Sequence, residues 1–172
     1  MTSLEKQKKV KEECKDKGFD ALLVTTLDDI AWLTNCRGTD IDYNPVFFSY
    51  LLLRPGKEDE DPEVTLFVDS CKVEGIKDYL TSQNITTDEY ASIQGLLSTL
   101  AETKTTKVGV TKSTCNAEIF DLLGEMAVDT SKNIIQHLKA AKNPTEQQGM
   151  RNCNVRDCAA IMKYFAYLEQ EL

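Results

Sequence analysis

A single histidine among 172 residues is the tightest constraint this sequence sets. Hydrolytic metal sites draw on several His, Asp and Glu side chains converging on the ion, and His137 stands alone for the imidazole share. The acids nearest to it along the chain, Asp129 and Glu146, sit at no ligand-like spacing. No metal ligand, cofactor or catalytic residue is therefore assigned in this chain, and His137 reads as a strand-end residue satisfied by a local hydrogen bond. Nucleophilic chemistry is equally short of parts. A Cys–His pair could form only through His137, and neither a Gly-x-Ser-x-Gly elbow nor a Ser-x-x-Lys motif occurs. No Gly-rich loop joins a predicted strand to a helix, so a phosphate cradle is missing too.

Positive charge is also scarce: 20 Lys and Arg face 28 Asp and Glu, a formal net charge of −8. Nucleic-acid binders concentrate Lys and Arg on one face, so a nucleic-acid partner is excluded. No apolar run approaches the roughly 20 residues of a membrane helix, and the N-terminus MTSLEKQKKVKEEC lacks an apolar signal core. These absences point to a soluble cytoplasmic protein without a membrane partner. The six cysteines form no CxxC pair and no small-secreted-domain pattern, so they read as reduced, mostly buried thiols. In that setting the sequon Asn84-Ile85-Thr86 carries no weight.

What remains is the composition of an ordinary globular domain, with 41% hydrophobic and 8% aromatic residues. Segments of helical period alternate with short β-branched runs, the pattern of a layered α/β domain. The spacing predicts a charged amphipathic helix over 3–17 stopped by Gly18, a buried strand over 21–25, and a short helix over 27–33 with Asp28 and Asp29 in its first turn. A strand over 46–53 and its partner over 64–68 flank an acidic, solvated hairpin loop over 57–63. Helices over 73–82, 93–102 and 117–126 and strands over 108–110 and 134–135 complete the pattern.

Asn143-Pro144-Thr145-Glu146 is a strong helix start, with a capping Asn, Pro at the first helical position and Glu placed to close a capping box. Val155, Cys158, Met162 and Phe165 then follow as an apolar stripe, and the sequence stops at Leu172. The expectation is that whatever covers this stripe lies downstream.

One segment stands apart: Asn35-Cys36-Arg37-Gly38-Thr39-Asp40-Ile41-Asp42-Tyr43-Asn44-Pro45, a dense polar loop between a Trp-bearing helix and an aromatic strand. Arg37 offers a planar five-donor fork, and Asp40 and Asp42 offer acceptors. Composition alone leaves two readings open. The loop either binds a ligand or is shaped internally by an Arg–Asp clamp.

At this loop a resemblance becomes specific. Leu27-Asp28-Asp29-Ile30-Ala31-Trp32-Leu33-Thr34-Asn35, Arg37-Gly38-x-Asp40 and Asn44-Pro45-Val46-Phe47-Phe48-Ser49-Tyr50 resemble the second domain of cytosolic, three-domain Xaa-Pro aminopeptidases of the creatinase/prolidase, or "pita-bread", family. Lys142-Asn143-Pro144-Thr145-Glu146 is similar to the segment that opens the family's catalytic domain. The sequence departs from the pattern at Cys36, where a larger aliphatic residue is expected, and in a longer acidic loop.

The resemblance implies a mixed β-sheet flanked by helices (α/β/α) over 1–142, and the first helix of a catalytic domain over 143–172. It also implies a parent enzyme that removes the first residue from short peptides with proline in second position. That parent would use two metal ions, usually manganese, in a catalytic domain absent from this chain. This domain would wall the active-site entrance and assist homodimer formation, with Arg37, Asp40, Asp42, Tyr43 and Asn44 near the substrate. A second reading stays open: an interaction module of a pita-bread paralogue that has lost its metals.

Overall fold

The computed structural model describes residues 1–103 and 107–172, which separate into two compact units, Met1–Leu138 and Lys139–Leu172. In the first unit a six-stranded mixed sheet runs in the order β4-β3-β2-β1-β5-β6. Its strands are β1 (Ala21–Val24), β2 (Tyr50–Arg54), β3 (Glu63–Phe67), β4 (Ile85–Asp88), β5 (Val108–Val110) and β6 (Ala127–Asp129). β2 pairs antiparallel with both β1 and β3, whereas β3–β4, β1–β5 and β5–β6 are parallel.

The sheet is covered on both faces, so its central strands are apolar throughout rather than alternating. Leu22 and Val24 of β1 and Leu51 and Leu53 of β2 point into one core with α1 (Ser3–Asp16), α2 (Leu27–Thr34), α3 (Lys77–Ser82) and the start of α6 (Ile134–Ala140). Ala21, Leu23 and Leu52 point into the other core, with α4 (Ser92–Thr103) and α5 (Ala117–Leu123). The expected helix–sheet–helix layering is thus present.

Polar contacts stitch α1 to this frame. Ser3 Oγ donates to Leu33 O at 2.7 Å, and Lys6 Nζ donates to Trp32 O at 2.6 Å while lying 4.4 Å from the Trp32 ring centroid. The acidic hairpin loop between β2 and β3 exposes its side chains, as expected, yet its backbone turns inward. Its carbonyls at Lys57, Glu58 and Glu60 all accept from the ammonium of Lys11, which is buried.

Several predicted elements move. The aromatic strand begins at Tyr50 rather than at 46, because Val46 is drawn into the preceding loop: its N–H donates to Asn44 O at 2.8 Å and its carbonyl accepts from Asp40 N. The helix predicted over 73–82 is one 3₁₀ turn, Glu74–Ile76, followed by α3, with a further 3₁₀ turn, Ser70–Lys72, just ahead of it. The predicted strand at 134–135 is the first turn of α6, where Asn133 Oδ1 accepts from the N–H groups of Ile135 and Gln136 and so starts a helix. His137 is consequently an exposed helical residue, not a strand end. β4 and β6 lie outside the predicted set. The cysteines are less buried than expected: Cys14 and Cys36 are buried, Cys115 is half-buried, and Cys71, Cys153 and Cys158 are exposed.

The second unit holds α7 (Pro144–Glu171), which carries the predicted capping box between Asn143 and Glu146 and Pro in its first turn. Among the described residues no helix is long and apolar enough to cross a membrane.

Candidate functional site

The loop that follows α2 is shaped residue by residue. Asn35 ends the helix in the left-handed conformation, with φ 58°. Thr34 Oγ1 bonds back to Ile30 O at 2.8 Å and accepts from Cys36 N at 3.2 Å, turning the chain sharply. A Cβ on Gly38 would sit 2.6 Å from Phe47 Cβ, so only glycine lets the two arms of the loop approach. Beyond it, Ile41 and Asn44 form an isolated antiparallel bridge around a tight tip at Tyr43, whose φ is +63° and whose side chain is wholly exposed.

Two polar anchors hold this loop. Arg37 Nη1 donates to Ala31 O at 2.6 Å and to Cys36 O at 2.8 Å, so the guanidinium closes the C-terminal end of α2. Asp40 Oδ2 accepts from Phe48 N and from Lys72 Nζ, both at 2.6 Å. The Lys72 and Phe48 hydrogen bonds hold the Asp40 carboxyl below its usual range. The Arg–Asp clamp is therefore not formed. The carboxylate goes to Lys72 and the guanidinium goes to backbone carbonyls, which suits a residue at the negative end of a helix.

Behind the loop lies a cavity of about 250 Å³, bounded on one side by Arg37, Gly38 and Asp40 and on the other by Val68 and the turn carrying Lys72 and Val73. Of the five residues expected near a substrate, Arg37 and Asp40 line this cavity. Asp42, Tyr43 and Asn44 instead sit on the exposed tip. Lys72, which completes the site, escaped the sequence reading because it lies 32 positions from Asp40 in an unremarkable turn. Cys36 also lines the cavity, but burial pushes its thiol up, so it stays protonated at neutral pH. Among the described residues no three His, Cys, Asp or Glu side chains gather as a metal would need. This chain's donor set does not fit the two-metal centre that the resemblance implies, and no metal step is assigned to it.

What the fold and the loop define is a helix-covered mixed sheet with a structured polar loop and a cavity behind it. The chain belongs to the creatinase/prolidase N-terminal domain family, whose profile matches residues 1–146. It is similar to proteins named probable Xaa-Pro aminopeptidase P from the fungi Sordaria macrospora and Laccaria bicolor. The Sordaria protein is 38% identical over 98% of this chain and 28% of its own length; the Laccaria protein is 36% identical over 98% and 26%. The structure superposes on the X-prolyl aminopeptidase of Caenorhabditis elegans, described as a cytosolic enzyme with a di-nuclear active site. The TM-score is 0.86 and the identity 34%, over 100% of this chain and 28% of that one. A Xaa-Pro dipeptidase from Bacillus anthracis, 16% identical with a TM-score of 0.62, shares the fold. The chain thus spans about 28% of the length of the first of these curated relatives.

Proposed function

We propose that this chain is the non-catalytic second domain, with the first catalytic-domain helix, of a cytoplasmic, metal-dependent Xaa-Pro aminopeptidase. In that enzyme it walls the active-site entrance, restricts substrates to short peptides with proline in second position, and assists homodimer formation. The observation that carries the reading is the end-to-end likeness to the Caenorhabditis elegans enzyme, at 34% identity over the whole chain. The division at 142/143 is supported by the capping box at Asn143, which begins α7 as a separate element. The ligands for the metal pair, manganese in this reading, would come from the remainder of the enzyme.

The substrate-facing residues in this reading are Arg37, Asp40, Asp42, Tyr43 and Asn44. Their support is the exposed, rigid presentation of the loop: Gly38 packs tightly against Phe47, and Asp40 is fastened to Lys72. The test uses the longer protein that carries this chain, assayed with Mn²⁺ on Xaa-Pro-containing tripeptides. Release of the first residue is expected, and Arg37→Gln should raise KM or lower kcat/KM. A longer protein that lacks the Asp, Asp, His, Glu and Glu ligand set and cleaves nothing would overturn the reading in favour of an inactive interaction module.

A further inference from the structure

The cavity behind the loop combines an apolar floor with a charged mouth. Phe47, Leu66, Val68 and Val73 are all buried residues that line it, while Arg37, Asp40 and Lys72 stand at its polar side. In a chain of formal charge −8, two cations facing one carboxylate make this a locally positive place. The carboxylate is already committed, because Asp40 Oδ2 is held by both Lys72 Nζ and Phe48 N.

Arg37 is differently placed. Only its Nη1 is engaged, by two backbone carbonyls, and no other contact of its guanidinium is found among the described residues. The two carbonyls fix the plane of the group without neutralising it. The remaining donors keep the fork geometry that pairs with a carboxylate, and the rotamer entropy of ordering them is already spent in the free protein.

We infer that this cavity is a binding site for a small apolar carboxylate, the size of one amino-acid side chain and its carboxyl group, with Arg37 receiving the carboxylate. At about 250 Å³ it falls just below the roughly 300–1,000 Å³ of drug-sized sites, which suits such a ligand. The apolar floor discriminates against a fully hydrated inorganic anion, and the positive mouth discriminates against a second ammonium group. The shared chemistry fits either the carboxy-terminal residue of a short peptide or a free branched-chain acid. The inference concerns a site within the first unit and does not require the aminopeptidase reading.

Titration of this chain, labelled with nitrogen-15, tests it. N-acetyl-leucine should shift the amide signals of Phe47, Val68, Lys72 and Val73 saturably, and N-acetyl-leucinamide should bind about tenfold more weakly, the worth of one charge-assisted pair. Arg37→Gln, with its fold checked by circular dichroism, should abolish that difference. Because the acid–amide comparison is made first on the unaltered chain, it decides even if the variant fails to fold. A 4-methylvalerate titration separates the sources. Binding equal to that of N-acetyl-leucine shows that carboxylate and branched chain are enough, and weaker binding shows that the peptide group is read as well. Either result supports the site. Equal affinity for acid and amide, a response to inorganic phosphate matching that to N-acetyl-leucine, or the absence of saturable shifts at these four residues overturns it. A longer protein that cleaves no Xaa-Pro peptide would refute the proposed function and leave this result standing.

Discussion

Asp40 fastens the loop through one carboxylate oxygen, and that makes the loop sensitive to acid. The two hydrogen bonds from Lys72 and Phe48 lower its folded-state pKa, so protons bind the unfolded chain more readily than the folded one. The stability it contributes is therefore present above the ordinary carboxylate pKa of about 3.9 and is lost as pH falls through the lower folded value. Asp40→Asn should lower the melting temperature at neutral pH and flatten the fall in stability that the unaltered chain shows on acidification in this window. Equal pH dependence in the two proteins would disprove the assignment. Tyr43 makes a second residue-scale case. Its φ of +63° costs an L-residue roughly 1–2 kcal/mol, and its side chain has no burial to set against that. Thermal unfolding should rank Tyr43→Gly at least as stable as the unaltered chain and Tyr43→Val clearly below it. A Val variant as stable as the Gly variant would show that the tip is unstrained. Composition revealed the polar loop and its Arg and Asp, since such residues gather where backbone turns are tight. It could not reveal that Asp40 pairs with Lys72, because that contact depends on which turn the sheet brings opposite the loop.

Among the elements, those with a strong period or a strong punctuation mark were legible: α1 with its stop at Gly18, β1 with its continuous apolar run, and α7 with its capping box. The strands that escaped were β4, whose Thr86, Thr87 and Asp88 are exposed at the sheet edge, and β6, only three residues long. Neither alternates apolar and polar residues along its length, although Ile85, Thr86 and Thr87 are β-branched, and each pairs with a parallel neighbour far away in sequence. The fate of the acidic hairpin loop was hidden for a similar reason. Its side chains announce a solvated loop, whereas its conformation is set by an ammonium arriving from α1. Lys11 is 7% exposed and donates to three loop carbonyls, two of them at Lys57 (2.6 Å) and Glu58 (3.3 Å). Hydrogen bonds to a charged group contribute about 1.5–3 kcal/mol each at most, and the loop carbonyls can rehydrate once released, so Lys11→Met should cost about 1–3 kcal/mol overall. Urea unfolding of the variant measures this directly. An unchanged midpoint would mean that the loop holds its shape without the lysine.

At the scale of the whole chain the open question is what α7 does with its apolar surface. Val155, Met162 and Phe165 are 72%, 71% and 59% exposed, but so are Ile161 at 51%, Tyr164 at 58% and Tyr167 at 57%. Positions 161, 162, 164, 165 and 167 do not share one narrow face of a helix with 3.6 residues per turn; they spread over roughly 220° of its circumference, with Lys163 and Gln170 on the remaining side. A single stripe would pair two copies through one isologous contact and stop there. Apolar residues on several faces leave surface uncovered after the first pairing, and each side chain buried adds roughly 1.5–3 kcal/mol toward further association. The 172-residue chain should therefore self-associate beyond two copies in sedimentation equilibrium, with a mass that rises with concentration, while a version ending at Lys142 stays monomeric. A strict dimer would show that the stripe of Val155, Cys158, Met162 and Phe165 acts alone. Two monomeric proteins would show that α7 carries no driving force for association in this chain. The same geometry explains why the stripe was legible and the rest was not: reading along one helical period picks out the best-aligned residues and passes over apolar neighbours on the other faces. An apolar surface this broad, with Arg156, Lys163 and Gln170 on the remaining side, fits packing against more than one neighbouring element, as the proposed catalytic domain would supply, better than the seam of a helical pair.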